Sequence, residues 1–384
     1  MRWDNLRLDD DLTADQDADG GGTLFPAERR VVALPLIERG AVARTFDTPG
    51  FRGMTFYEVQ AKSIVNRVPE ASRMPFRWTI NPYRGCQHSC VYCYARQSHS
   101  YLELDTGADF DTKVVVKVNA PELVRKKMAS PAWSGEHIAM GTNVDCYQRA
   151  EGRYRLMPGI ISALKDAANP FSILTKGTLI LRDMDLLAEA AEVTDVGLNV
   201  SAGFVDKELW RSVEPGTPAP ERRLEACAAL NERGLRCGVL MGPVVPFLSD
   251  SPAQLDAAVS QIAAAGATHV MPIVLHLRPG TREWFFRWLG AHHPGLVGRY
   301  LDLYGRSAYA PKSYQARIAG QVRELADKHG IGRPRPGFGH GRRPVPQPSA
   351  PQTVVPPPSA LPRPSPAPDP VVHSPAPSEQ LTLL

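Results

Sequence analysis

The sequence lacks the features that direct a chain into or across a membrane. Its first residues, MRWDNLRLDDDLTADQDADGGG, contain no apolar core flanked by basic residues, so we expect no signal peptide. Nowhere do about 18 apolar residues follow one another, which excludes a membrane-spanning helix. These absences predict a cytoplasmic protein, in which clustered thiols hold metal more often than they form disulfides.

Charge of one sign is also scarce, since the net charge is only +4. An excess this small neither requires nor excludes a nucleic-acid partner. Charge therefore excludes no class of partner, and the prediction of function depends on motifs.

Composition divides the chain into four predicted parts. Residues 1–50 begin acidic and Gly-rich, which is typical of a partly disordered extension. Residues 51–332 form the folded body. Residues 333–379 contain sixteen of the 36 prolines and are predicted to be a semi-rigid, Pro-rich disordered linker. Residues 380–384 are a short apolar peptide.

The body alternates apolar segments with amphipathic ones. This order predicts an α/β fold with a parallel sheet and right-handed crossovers. No GxGxxG follows the first strand, so an incomplete (β/α)6 TIM-like barrel is favoured over a doubly wound sheet. KVVVKVNA and PELVRKKMA predict an inserted strand and helix. The six predicted barrel strands lie within RWTINPY, HIAMGTNVD, FSILTKGT, DVGLNVSAG, LRCGVLMGPVVP and HVMPIVLHL.

Cys86, Cys90 and Cys93 lie close together, in NPYRGCQHSCVYCYAR with the spacing C-x3-C-x2-C. Three thiolates on one loop can ligate three corners of an iron–sulfur cubane. Electron-transfer clusters take four cysteines, so three imply one iron that is open to a substrate. A structural zinc site completed by His88 or His99 is the alternative that this spacing leaves open.

The motif NPYRGC-x3-C-x-YC-YAR, after the first strand of a repeated β/α chain, resembles the radical S-adenosylmethionine (SAM) superfamily. It looks most like the branch that contains spore photoproduct lyases and relatives of unassigned substrate, and the resemblance covers residues 55–332. It implies a [4Fe-4S] cluster on the three cysteines and SAM on the open iron. It further implies reductive cleavage of SAM to a 5′-deoxyadenosyl radical, which abstracts hydrogen from the substrate. The electron donor would be a ferredoxin or flavodoxin.

The resemblance also implies residues that hold SAM. Tyr92 lies where the family places an aromatic near the adenine. Gly141 and Thr142 end the second strand, where many members have a glutamate for the SAM amino group; here the Thr142 hydroxyl and backbone carbonyls would replace it. Lys176 is placed to pair with the SAM carboxylate, and Ser201 with the ribose or carboxylate. The alternatives are loop packing, a surface lysine and a helix cap.

Two local motifs and one leftover cysteine add four more positions. EPGTPAPERRL resembles a family pattern near the cofactor and points to Glu214 and Arg223. GPVVPFLSD resembles a turn that closes over SAM and points to Pro243. Cys146, just beyond the second strand, is a candidate hydrogen donor to a substrate radical; the alternative is a buried packing residue.

The chain ends in SEQLTLL, which resembles the bacterial sliding-clamp-binding motif. Leucine stands last where the motif usually has phenylalanine. A long tether would let the enzyme work while attached to the clamp, and a chance apolar tip is the alternative. The residues that would bind are Gln380, Leu381, Leu383 and Leu384.

These clues predict a radical SAM enzyme acting on nucleic acid, in DNA repair or base modification, with DNA and the sliding clamp as partners. Basic runs such as RKK and GRR would contact phosphate. Two alternatives stay open: a radical SAM enzyme of a peptide or small molecule, and a non-catalytic metal-binding adaptor. Substrate specificity depends on side chains at the barrel mouth, which the motifs do not cover.

Overall fold

A computed structural model of the chain describes residues 6–7, 36, 40–72 and 74–332. These belong to the first of two units, Met1–Arg343. The predicted Pro-rich linker and terminal peptide lie outside the described residues, as does most of the N-terminal extension.

The larger sheet has seven strands, of which β5, β8, β9, β10, β11 and β12 run parallel. Their order across the sheet follows the chain, β5-β8-β9-β10-β11-β12, with β4 antiparallel on the outer side of β5. β5 and β12 are not paired with each other among the described strands, so the incomplete six-stranded barrel is confirmed. The bounds are β4 Val65–Arg67, β5 Trp78–Ile80, β8 Ile138–Met140, β9 Phe171–Thr175, β10 Val196–Ser201, β11 Cys237–Val244 and β12 Val270–Val274.

A second sheet precedes and supports the cysteine loop. Its order is β1-β2-β3-β7-β6, and β7 is the inserted strand that the sequence predicts. β2 begins upstream of residue 51, so the ordered body is longer than the sequence indicates. β6 ends directly before Gly85 and Cys86. The bounds are β1 Leu6–Arg7, β2 Val42–Phe46, β3 Thr55–Val59, β6 Tyr83–Arg84 and β7 Lys113–Lys117.

Helices cover one face of the parallel sheet. Ile173, Leu198 and Cys237 stand in register on that face and are fully buried. The Cys227 thiol of a covering helix donates to the Cys237 carbonyl at 3.6 Å. The described α-helices are α1 Ala108–Thr112, α2 Ala120–Met128, α3 Glu151–Tyr154, α4 Leu156–Asp166, α5 Met184–Val193, α6 Lys207–Val213, α7 Pro220–Glu232, α8 Pro252–Ala264, α9 Thr281–His292, α10 Val297–Tyr304 and α11 Lys312–Lys328.

The opposite face of the parallel sheet faces the inside of the barrel. Leu174 and Leu240 are half-buried there, so this face is not filled by packing. Nε2 of His269 lies 2.9 Å from Oδ1 of Asn199. A Cβ at Gly238 would lie 2.2 Å from the His269 ring, so only glycine admits the ring at this place. The inner face therefore combines a polar pair with partly exposed apolar side chains.

Across residues 40–72 and 74–332, none of the helices has the length and apolar character needed to cross a membrane.

Candidate functional site

The loop after β6 places its cysteines by tight backbone turns. The Cys86 N–H donates to the Phe110 carbonyl at 3.0 Å, which attaches the loop to the segment before β7. The Ser89 N–H donates to the Cys86 carbonyl, and the Cys93 N–H to the Cys90 carbonyl, each at 3.2 Å. Two successive turns thus fold the short stretch of chain that carries all three thiols.

Glycine and glutamine residues hold this loop from both sides. Gly85 has φ of +84°, a conformation that glycine adopts without strain. The Gln148 side chain accepts from the Gln87 N–H at 3.1 Å and donates to the Gly85 carbonyl at 3.0 Å. A Cβ at Gly216 would lie 1.9 Å from the Gln87 carbonyl oxygen. The Gln148 side chain therefore holds the loop on one side. On the other side the backbone at Gly216 lies so close that no larger residue fits at position 216.

Arg96 secures the loop from its C-terminal side. Its guanidinium is fully buried and donates to the Cys90 carbonyl at 3.0 Å and to the Asp111 carboxylate at 2.8 Å. It also lies 5.1 Å from the centre of the Phe110 ring and 4.9 Å from that of Trp284. Because a buried cation is costly without partners, these contacts tie the cysteine loop rigidly to its surroundings.

The donor set fits a cubane with one open iron. Cys86 and Cys90 are buried and Cys93 is half-buried. Burial raises the pKa of all three thiols, so cluster binding must displace their protons. The other three cysteines have other neighbours. Cys227 on α7 contacts Cys237 on β11, and Cys146 is buried near Asp145 and Glu151. Three thiols, and no fourth, are therefore available in this loop.

The histidines of the zinc alternative have other partners. His99 is fully buried, and its Nε2 lies 2.9 Å from the Lys113 carbonyl. His88 lies with Nδ1 3.4 Å from Asp145, and burial lowers its pKa to about 4. Across residues 40–72 and 74–332, no three Cys, His, Asp or Glu side chains are gathered as ligands of one metal ion. Both histidines are thus engaged by groups other than the three thiols.

A buried carboxylate joins three of the sequence-predicted SAM residues directly and a fourth through Arg223. Glu214 accepts hydrogen bonds from the Tyr92 hydroxyl and from the Arg223 guanidinium. The Lys176 ammonium lies 3.9 Å from the same carboxylate and 5.8 Å from the centre of the Tyr92 ring. Arg223 also donates to the Ser201 carbonyl at 3.0 Å. Residues from four separate segments thus converge beside the cysteine loop.

Electrostatics keep Glu214 ionised in this network. Burial acts to raise its pKa, but Arg223 and Lys176 outweigh burial and hold the pKa below its usual range. Arg223 is 1% exposed, and its other donors are satisfied by the Pro218 carbonyl and the Thr217 hydroxyl. The arginine is therefore fully occupied by protein groups, which leaves Lys176 as the less engaged cation.

A second carboxylate, Asp145, was not predicted from the sequence. It accepts from the Lys176 backbone N–H and from the Thr175 hydroxyl, both at 2.6 Å, and from the Tyr147 N–H at 2.8 Å. With its contact to His88, it links the ends of β8 and β9 to the cysteine loop. Its position just after the second strand's carboxyl end is the signal that could have found it.

The remaining sequence-predicted residues lie in different surroundings. Gly141 has φ of +75°, and a Cβ there would lie 1.8 Å from the Leu174 carbonyl oxygen, so it brings β8 directly against β9. Thr142, next to it, is half-buried. Pro243 follows Gly242, whose carbonyl accepts from the Ser201 hydroxyl at 3.0 Å.

Cys146 directly follows Asp145 in the chain. It is fully buried, and the charged neighbours that raise its pKa, after burial itself, are Asp145 and Glu151. Its role as a hydrogen donor stays a prediction. Gln380, Leu381, Leu383 and Leu384 lie outside the described residues.

Comparison with protein families and relatives gives consistent findings. The profile of the Radical SAM superfamily matches residues 80–256. An uncharacterized protein of Mycobacterium tuberculosis is 50% identical over 307 residues, which cover 79% of this chain and 90% of the relative. An uncharacterized protein of Methanocaldococcus jannaschii is 32% identical over 195 residues, which cover 50% of this chain and 69% of that protein.

Solved structures give the same fold. A spore photoproduct lyase complexed with a dinucleoside spore photoproduct matches with a TM-score of 0.55 and 13% identity, over 72% of this chain and 80% of the lyase. A mutant of that enzyme with bound AdoMet and the dinucleoside matches with a TM-score of 0.54 and 13% identity, over 72% and 79%. At this identity the likeness concerns the fold, and it confirms the predicted barrel class.

Proposed function

Because this chain belongs to the radical SAM superfamily, we propose that it binds its [4Fe-4S] cluster through Cys86, Cys90 and Cys93 and acts on a nucleic-acid substrate. The cofactors of the family are the cluster and SAM. When bound, and reduced by a low-potential donor, the cluster would supply the electron for reductive cleavage of SAM, the chemistry by which hydrogen would be abstracted from the substrate.

One observation carries the assignment of the SAM site. Tyr92, Lys176 and Arg223 come from three separate segments and meet around Glu214, next to the cysteine loop, and Arg223 also donates to the Ser201 carbonyl. A purely structural ion pair would need only the glutamate and the arginine. The additional lysine and tyrosine at the carboxyl ends of the strands support a binding role.

The contacts of each residue in this network indicate its role. Arg223 neutralises Glu214 and holds the Ser201 carbonyl, so it positions the end of β10. Glu214 fixes the Tyr92 ring through the hydroxyl, and this ring is the aromatic surface that would pack against an adenine. Lys176, 3.9 Å from Glu214, is the cation left to pair with the SAM carboxylate.

Nucleic acid as the substrate class rests on three supports. The fold resembles an enzyme whose solved structure holds a dinucleoside photoproduct. The cysteine motif resembles that branch of the superfamily. The terminal residues 380–384 resemble a sliding-clamp ligand, which would bring the chain to DNA in the cytoplasm. DNA repair or base modification is the reaction class that these supports favour.

The first test is anaerobic. The purified protein is reconstituted with iron and sulfide, reduced and given SAM, and 5′-deoxyadenosine is measured with Cys90→Ala as the control. Production by the native protein alone supports the assignment of the cysteines. Equal production by Cys90→Ala would exclude Cys90 as a ligand, and no production by either protein would overturn the proposal. Addition of damaged DNA then tests the substrate class through a substrate-dependent change in deoxyadenosine yield.

A further inference from the structure

Two exposed tyrosines share one arginine at the rim of the barrel. Tyr94 is 40% exposed and Tyr309 is 42% exposed, which is unusual for large side chains in this chain. The Arg278 guanidinium lies 5.4 Å from the centre of the Tyr94 ring and donates to the Tyr309 hydroxyl at 3.1 Å. His276 packs edge-on against Tyr309 at 4.7 Å. We call Tyr94, His276, Arg278 and Tyr309 the rim patch.

The rim patch lies where the barrel is open. Tyr94 directly follows Cys93, and Arg278 lies four residues beyond the end of β12 at Val274. The hydroxyl of Thr281, at the start of α9, donates to the Cys93 carbonyl at 3.0 Å. This contact brings the end of the last barrel strand next to the loop that follows the first one. The patch therefore borders both the cysteine loop and the gap between β5 and β12.

Among the described residues, no carboxylate neutralises the charge of the patch. Arg278 forms no salt bridge with any carboxylate in the described part of the chain, whereas the arginines of the interior, Arg96, Arg182 and Arg223, each do. An exposed tyrosine by itself needs no explanation. Two exposed rings held by one unneutralised guanidinium make a surface that is both aromatic and cationic.

We propose that the rim patch stacks unpaired bases of a nucleic acid, with Arg278 contacting a neighbouring phosphate. Aromatic rings beside a cation are how proteins bind single strands, because every base has a face to stack on and every nucleotide carries a phosphate. The patch would thus hold the nucleotides that flank the one presented to the barrel. This inference rests on the proposed nucleic-acid function and specifies which form of the nucleic acid is bound.

The test measures the binding of short fluorescein-labelled oligonucleotides by the reconstituted full-length protein, using fluorescence anisotropy. The probes are a single-stranded DNA, its duplex and the RNA of the same sequence. The variants are Tyr94→Leu, Tyr309→Leu and Arg278→Gln. The matched controls are Tyr309→Phe, which keeps the ring, and Tyr101→Leu, which removes a tyrosine that is 76% exposed and outside the patch. Thermal unfolding checks that each variant is folded.

We expect single-stranded DNA to bind more tightly than duplex. Each leucine variant should weaken binding by about five- to a hundredfold, and Tyr309→Phe and Tyr101→Leu should bind like the native protein. Arg278→Gln should weaken binding and reduce the slope of log K against log salt by about 1. The RNA probe decides whether the ribose hydroxyl is tolerated.

Three outcomes would overturn the inference: no binding of any of the three probes, duplex preferred over single strand, or folded leucine variants that bind as tightly as the native protein. These outcomes are distinguishable from a failure of the proposed SAM cleavage, since deoxyadenosine formation by the native protein is assayed without nucleic acid. If the native protein cleaves SAM but the patch variants bind oligonucleotides as tightly as it does, only the role of the rim patch is refuted.

Discussion

Replacing Arg223 with methionine tests the Glu214 network most directly. The substitution keeps much of the side-chain length but removes the charge that Glu214 faces. Both residues are about 1% exposed, so water cannot take the place of the guanidinium. Glu214 then remains buried with the Tyr92 hydroxyl and a lysine at 3.9 Å as its partners. We expect an uncompensated buried carboxylate and a less stable protein.

The expected loss follows from the burial. Removal of one partner from a buried ion pair costs about 3–5 kcal/mol. For a body of this size, that corresponds to a fall in Tm of about 5–8 °C. The double variant Glu214→Gln, Arg223→Met removes both charges, and so its loss should be clearly smaller than the sum of the two single losses.

The neighbouring pair on the same helix gives a matched control. Arg222 lies 2.8 Å from Glu225, and the two side chains are 71% and 60% exposed. Because exposed pairs contribute about 0–1 kcal/mol, Arg222→Met should leave stability nearly unchanged. The assay is urea unfolding of the metal-free protein under reducing conditions, followed by circular dichroism. If Arg223→Met unfolds at the same urea concentration as Arg222→Met, the reasoning about this buried network is wrong.

Three further predictions concern the loop, the SAM site and the tail. Gly216→Ala should lower iron content after reconstitution, because its Cβ would lie 1.9 Å from the Gln87 carbonyl oxygen; Gly320→Ala, with open space around it, should load iron normally. Lys176→Met should weaken equilibrium SAM binding by about ten- to a hundredfold through loss of a charge-assisted contact, whereas Lys165→Met, at an exposed pair, should not; equal affinities would contradict the assignment. Deletion of residues 380–384 should abolish binding to a purified bacterial sliding clamp in calorimetry, and retained binding would exclude the tail motif.

The cysteine loop and the barrel class could be predicted from sequence because both are local patterns. The spacing of Cys86, Cys90 and Cys93 lies within one turn-rich segment, and the barrel strands appear as apolar runs separated by amphipathic helices. The strand order then follows from the right-handed crossover rule. β2 was missed because five residues of mixed polarity, VARTF, show no strand pattern without their partner strands.

The site beyond the cysteines depends on contacts between distant segments. Tyr92 and Glu214 are 122 positions apart, and the Cys93 carbonyl and Thr281 hydroxyl are 188 apart. No periodicity in the sequence encodes such pairings. The role of Asp145 was missed for the same reason, since its partners lie on β9 and the cysteine loop and are brought together only by the parallel sheet.

The sequence by itself determined the family and the fold class and predicted the cluster ligands, because each depends on residues that are near one another along the chain. The tertiary structure alone decided that Glu214 is the shared partner of Tyr92, Lys176 and Arg223. It also decided that two tyrosines and an arginine meet at the barrel's open side. The physical reason is that burial and charge pairing are properties of neighbours in space, and only the folded sheet defines those neighbours.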